Sequence, residues 1–488
     1  MPKIVLSALA LLTMVAGAES VKTVPLPQLP DFAEVGPQEY RPLRRELRAY
    51  YPEECHERMK DAAVSNSFAR IWNDLSSWFA AHPEADALDV RVQNYRLIRR
   101  HFHPVLFRES PFYFEAGAAG GYAVRYEAAP TPGNGTRNLC KRFYHDRGLI
   151  PDEEFKVLKE RSLQQYSYIC GPFVDQIHNM PPFKAILENG FGGMQAKVQA
   201  ALAACPAWDK DGRRYLEAML EGFETVRAIQ QAFRQAAETR LRQADVSARE
   251  RVWLERIARS AARCPWEKPR TFFEGLNTLW FCREIFGYAD GLSCFSLGHP
   301  DAWLIDLYRQ DLAAGVLTEP EARDLVRRFL IQAECHHNGF KPVDGSVDHE
   351  METPITLGGC DAQGAPIWNE LTRMFLEEHQ AMDVVFPKLH MRYSAQSPKE
   401  YLETIARMVL QGHCVFALFN DDVHVAGFLK DGFPLARARD YECVGCWEGF
   451  ISTANDSPRS CSSRRRSRQP SRQAEYSGRG ETFAYNRP

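Results

Sequence analysis

The chain has 488 residues, 45% of them hydrophobic and 25% charged, and carries a net charge of −3. That balance fits an ordinary globular protein with room for a large core, and it gives nucleic acid no basic surface to bind. The 13 cysteines are odd in number and follow no framework spacing, which favours reduced thiols in the cytoplasm over a disulfide scaffold.

The N-terminus points to a different compartment. "MPKIVLSALALLTMVAGAES" has Lys3, an apolar run from Ile4 to Ala16, and the small-x-small sequence Ala16-Gly17-Ala18. Residues 1–20 therefore read as a signal peptide, which implies export, or as a miscalled start outside the fold. The run is too short for a membrane span, and no membrane association is expected. Residues 21–50 are rich in proline and charge, an irregular entry that turns helical from about Pro42.

The strongest helical pattern is "RRYLEAMLEGFETVRAIQQAFRQAAETRLRQ", in which Leu216, Leu220, Phe223 and Val226 recur at three and four residues. Ser247 and Glu250 have capping-box spacing ahead of a second helix, with Leu254, Ile257 and Ala261 as its buried stripe. In "LTEPEARDLVRRFLIQAE", Thr318 is the expected N-cap, Pro320 sits in the first turn and Glu321 closes the box. "SPKEYLETIARMVLQG" repeats the device with Ser397, Pro398 and Glu400, and Gly412 ends the helix.

Short apolar runs alternate with these helices. "HCVFALFND" stops at Asn420-Asp421, and "DVVFPKLHMRYS" is a strand in part, since Pro387 demotes its first half. "DGFPLARARDYECVGC" runs from a helix-like segment into a short strand or loop. Helix, buried strand, loop, helix predicts an α/β architecture with side chains collected at strand ends. From Ser452 onward the chain has no Leu or Val and is rich in serine and arginine. Residues 451–488 are thus expected to form a disordered tail.

Chemistry concentrates in "YECVGCWEGF". Cys443 and Cys446 have the spacing of half a zinc site. The other half would need a second pair, and Cys335-His336-His337 is the only cluster, its neighbours pointing in divergent directions. A redox pair would want a helix directly after Cys446. Two buried thiols account for the pair taken alone.

The context is more specific. "FNDDVHVAGFLKDGFPLARARDYECVGCWEG" resembles the active-site segment of the glycyl radical enzymes, the pyruvate formate-lyase-like family. Asn420-Asp421, Ala438-Arg439-Asp440-Tyr441, Val444-Gly445-Cys446 and Glu448 stand where that family has an Asn-Asp turn, "A-R-D-Y" and "V-G-C-V-E-P". "PRTFFEGLNTLWF", "SLGHPDAWLIDLYRQDLAAGVLTEPEA" and "ITLGGCDAQGAPIWNELT" extend the resemblance backward, with fainter echoes in "SPFYFEAG" and "FGGMQAKVQAAL". It covers roughly residues 40–450, so that 21–450 is expected to be one pyruvate formate-lyase-like domain.

The resemblance implies an α/β fold, the ten-stranded glycyl-radical barrel surrounded by helices, here incomplete at the C-terminus. It implies radical-based elimination by a dehydratase or a C–N, C–S or C–C lyase, acting on a small hydroxylated or amino-substituted molecule. Cys446 is implied as the thiyl-radical cysteine and Glu448 as the base, and positions two apart on an extended segment face one side. The residue before Cys446 is Gly445, not a second cysteine, which separates the chain from the formate-lyase members proper. Trp447 and Gly449 depart from the usual valine and proline. His178 resembles the histidine of a "G-H-x-x-P-x-[FY]" segment that binds substrate, and reads otherwise as a structural histidine.

No metal and no bound cofactor are expected. A glycyl radical installed by a radical S-adenosylmethionine activating enzyme is implied, yet the family's "R-V-x-G-Y" segment is not found; "EYSGRGETF" holds Gly478 and Gly480 without its flanks. The expected partners are a small-molecule substrate, the activating enzyme and a second copy of the chain in a homodimer, in the cytoplasm. The alternatives are a truncated or catalytically inactive relative, and a secreted binding protein.

Overall fold

The computed structural model describes residues 34–52, 68–113, 151–153, 156, 180–290, 296–337, 354–413, 415–445 and 448–451. Helices come first. They are α1 (Arg41–Pro52), α2 (Phe68–Ala81), α3 (Ala87–His101), α4 (Phe183–Ala204), α5 (Lys210–Arg240), α6 (Ala248–Ala261), α7 (Phe272–Asp290), α8 (Pro300–Trp303), α9 (Ile305–Ala313) and α10 (Glu319–His337). Strands and helices then alternate: β1 (Ile355–Gly358), α11 (Glu370–Ala381), β2 (Leu389–Tyr393), α12 (Lys399–Leu410), β3 (Phe416–Asn420), α13 (Asp421–Lys430), α14 (Leu435–Arg439), β4 (Tyr441–Val444) and β5 (Glu448–Ile451). No helix among the described residues is long and apolar enough to cross a membrane.

Local signals set most helix starts. Ser247 Oγ accepts the Glu250 amide and begins α6, whose Leu254, Ile257 and Ala261 are buried as expected. The Glu250 carboxylate does not turn back on the cap; it pairs with Arg240 at 2.7 Å and ties α6 to the end of α5. At α10, Thr318 N–H donates to Glu321 Oε2 at 2.8 Å, the expected box. The box expected at Ser397 does not form. Ser397 Oγ accepts the Ser394 amide, and Glu400 accepts from Trp368 Nε1 and Arg373. Neighbours in space outbid the local cap, and Pro398 enters α12 without a side-chain cap.

In α5 the expected stripe is only half-buried at Leu216, Leu220 and Phe223. Apart from Ala218, full burial begins at Thr225 and Val226 and continues through Ile229, Phe233 and Ala237, where α6 also covers the helix. Gln230 there donates to the Ala261 carbonyl at 3.0 Å.

β1, β2 and β3 form a parallel sheet in that order, and β4 and β5 an antiparallel hairpin. Two crossover helices, α11 and α12, join the parallel strands, as parallel pairing requires. The register aligns Leu357 with Met391 and Leu418, and Thr356 with His390 and Ala417. Alternation then divides the sheet into two faces. Ile355, Leu357, Leu389 and Met391 point into the main core with Tyr401, Ile405 and Met408 of α12. Thr356, His390, Arg392, Ala417 and Phe419 line the other face, toward the hairpin.

Candidate active site

The hairpin is anchored to the sheet by one arginine. Arg392, on β2, is 1% exposed and spends four hydrogen bonds there. Its Nε and Nη2 each donate to Asp421 at 2.9 Å. Its Nη1 donates to the Tyr441 carbonyl at 2.9 Å and Nη2 to the Arg439 carbonyl at 2.8 Å. The guanidinium also stacks 3.9 Å from the centre of the Tyr441 ring. Gly359 makes room for it: a Cβ there would lie 2.7 Å from Arg392 Nε, and its φ of +75° suits glycine.

Each residue of the Ala438-Arg439-Asp440-Tyr441 run has a separate contact. Ala438 is buried against β3 and α13 in a small apolar cluster. Arg439 donates to the Ala362 carbonyl in the turn after β1. Asp440 accepts from Lys184 of α4 at 2.8 Å. Tyr441 donates to Asp421 Oδ1 at 2.6 Å. Asn420 caps α13 by accepting the Asp422 amide at 2.9 Å, which leaves Asp421 free to turn inward. The motif is therefore the frame that holds a hairpin over the sheet.

The hairpin register pairs Tyr441 with Ile451, Cys443 with Gly449, and Val444 with Glu448. Gly445, after Val444, has φ +58°, the left-handed conformation that glycine adopts readily. Glu448 is half-buried at the start of β5 and shares a face with Val444 and with Glu442, which is 1% exposed. The opposite face carries Tyr441, Cys443 and Ile451 onto Ala417 and Phe419. Cys443 N–H donates to Thr356 Oγ1 at 3.2 Å. Its thiol is free, and burial pushes it well above the ordinary range. Cys446 and His178, both expected in the site, lie outside the described residues.

Sequence reasoning missed Arg392, His390 and Thr356. Burial pushes the His390 imidazole down to about 3. The ring lies against the Cys443 backbone and 5.0 Å from Phe419, and neither nitrogen makes a well-formed hydrogen bond among the described residues. The signal was present in "LHMRY", where polar His390 and Arg392 alternate with apolar Leu389 and Met391, the pattern of a strand with one polar face. A second polar knot braces the sheet end. Asp301 accepts the Gly358 amide at 2.9 Å and the Thr372 hydroxyl at 2.7 Å, and burial raises its carboxyl to about 7.

A family model described as pyruvate formate lyase-like matches residues 156–456. An isethionate sulfite-lyase of Oleidesulfovibrio alaskensis is 26% identical over 330 residues, which is 63% of this chain and 39% of that protein. A (2S)-3-sulfopropanediol dehydratase of Klebsiella oxytoca is 23% identical, over 54% of this chain and 33% of that one. The chain thus spans well under half the length of these curated relatives. A glycyl radical enzyme of Archaeoglobus fulgidus superposes with a TM-score of 0.63 at 17% identity, covering 84% of this chain and 55% of the other. The glycerol dehydratase of Clostridium butyricum gives 0.63 at 16% identity, over 87% of this chain and 56% of its own. At these identities the superpositions establish the fold alone.

Proposed function

The chain belongs to the pyruvate formate lyase-like family, and from that membership we propose that it performs a radical-based elimination as a dehydratase or a C–N, C–S or C–C lyase. The substrate class is a small hydroxylated or amino-substituted molecule. The observation that supports the residue assignment is the hairpin register, which pairs Val444 with Glu448, the residues two before and two after Cys446 in sequence. We read the three parallel strands as one arc of the ten-stranded barrel, with the hairpin inside it and residues 21–450 as the catalytic domain.

The family's glycyl radical, installed by an activating enzyme, supplies the hydrogen-atom abstraction that readies the cysteine. Cys446 then takes a hydrogen atom from a substrate carbon that bears a hydroxyl. Glu448 takes the proton of that hydroxyl, now far more acidic. The electron density released toward carbon expels the substituent on the neighbouring carbon, and Cys446 returns its hydrogen atom to the product radical. A thiol must stay protonated for this work, and an apolar surround favours the protonated form. His178 is proposed to hold the substrate, and a reducing, anoxic cytoplasm suits the chemistry.

The test is an anaerobic assay of the chain reconstituted with a small polypeptide that carries the family's "R-V-x-G-Y" segment and with a radical S-adenosylmethionine activating enzyme. Isethionate, a sulfopropanediol and glycerol are the first substrates, after the relatives. Turnover is expected in the unaltered chain and in Cys443→Ala, and not in Cys446→Ala. Equal loss from both cysteine variants would overturn the assignment in favour of a paired role for the two thiols.

A further inference from the structure

Gly449 lies inside β5, opposite Cys443 of β4. Glycine weakens the interior of a strand, and where it stands there another group usually approaches the backbone closely. Here that group is the half-buried imidazole of His424, on α13. A Cβ at position 449 would lie 3.1 Å from His424 Nδ1, 3.2 Å from Tyr441 Cδ2 and 3.4 Å from Phe428 Cζ. The three rings form one platform. His424 stacks on Tyr441 with centroids 5.2 Å apart and planes within 17°, and Phe428 meets the same Tyr441 ring at 5.6 Å. Phe419 of β3 packs against His424 at 5.4 Å. β5 therefore rests its backbone, not a side chain, on the platform. Gly449 is also a position at which the segment departs from the pattern it resembles, where proline is usual.

We propose that His424 is a positioning residue for Glu448 and Cys446: its ring takes the space that a side chain at 449 would need, and so sets how low the hairpin lies over the sheet. Glu448 is the chain neighbour of Gly449, and Cys446 lies three positions before it. A side chain at 449 lifts β5 or pushes His424 off Tyr441, and either movement shifts the carboxylate and the thiol. A displacement of about 1 Å at reacting groups costs about 100-fold in rate. This catalytic consequence rests on the elimination proposed above; the packing of His424 against Gly449 does not. Cys443 reports the height of the hairpin. It faces Gly449 across the ladder, is 0% exposed with a free thiol, and its amide is held by Thr356. A buried thiol of this kind is inert until its segment opens. Cys282 of α7 and Cys335 of α10 are also 0% exposed, in the main core, and serve as standards.

Anaerobic alkylation of the full chain with iodoacetamide, read cysteine by cysteine from peptide masses, tests it. Gly449→Val sets a branched side chain against the three rings. Cys443 should then react at least about tenfold faster, with Cys282 and Cys335 unchanged. His424→Ala removes the ring, and the double variant should return Cys443 to within about twofold of its original rate. In the reconstituted assay kcat should fall about 100-fold in Gly449→Val with little change in KM, and most of it should return in the double variant. An unchanged Cys443 rate in Gly449→Val, a rise shared by all three thiols, or no return in the double variant would each overturn the proposal. Should Gly449→Val fail to fold, Gly449→Ala makes the same comparison with a smaller contact. A lack of turnover in the unaltered chain would count against the elimination alone, because the thiol pattern needs no radical.

Discussion

Arg392 and Asp421 form a buried two-pronged ion pair, Nε to Oδ1 and Nη2 to Oδ2 both at 2.9 Å, between the middle strand of the sheet and the first residue of α13. Neither side chain is more than 4% exposed. Removing one partner strands the other charge in a dry setting. Asp421→Asn should therefore lower the unfolding free energy by about 3–5 kcal/mol, measured by urea titration at pH 7. A loss below about 1 kcal/mol would show that the pair does not hold the hairpin.

Tyr441 shares that carboxylate. Tyr441→Phe keeps the ring under the guanidinium and removes only the hydroxyl, so a loss of about 1.5–3 kcal/mol is expected for a charge-assisted bond. The two effects should couple. In the Asp421→Asn background the Tyr441→Phe loss should shrink, and a double-mutant cycle reads the difference. Strict additivity would contradict the shared anchor.

Gly359 should resist replacement. Gly359→Ala places a Cβ against Arg392 Nε in a backbone conformation with φ +75°. The left-handed strain alone amounts to about 1–2 kcal/mol, and the displaced arginine adds to it. The thermal midpoint should fall by several degrees. An unchanged midpoint would mean that Arg392 has slack in its position.

Two buried histidines should cost stability as the solution is acidified, while Asp301 and Glu334, whose carboxyls burial raises to about 7, act in the opposite direction. Burial pushes the imidazoles of His379 and His390 down to about 3, and in the unfolded chain they titrate near 6.5. Between those values the unfolded chain binds more protons, so the folded state loses ground as pH drops from about 6.5 toward 3. Each histidine contributes up to about 1.4 kcal/mol per pH unit in that window. Urea titrations of the chain and of His390→Leu at pH 7, 6 and 5 should differ in their pH slopes by one histidine's share, the variant losing less on acidification. An unchanged slope in that variant would remove His390 from the account.

The sequence by itself determined the helix starts at Thr318 and Ser247, because a cap and its amide lie within three residues of each other. It also determined the family, through motifs whose order survives in one dimension. It did not disclose why Ala438-Arg439-Asp440-Tyr441 stand together, nor that Arg392 collects the ends of that run. Those contacts join residues 29 and 49 positions apart. The bond from Cys443 to Thr356 spans 87. Only the order of the strands in the sheet decides which distant residues meet. The box expected at Ser397 shows the same division from the other side: its spacing was legible, and Glu400 was instead drawn to Trp368 and Arg373, 32 and 27 positions away.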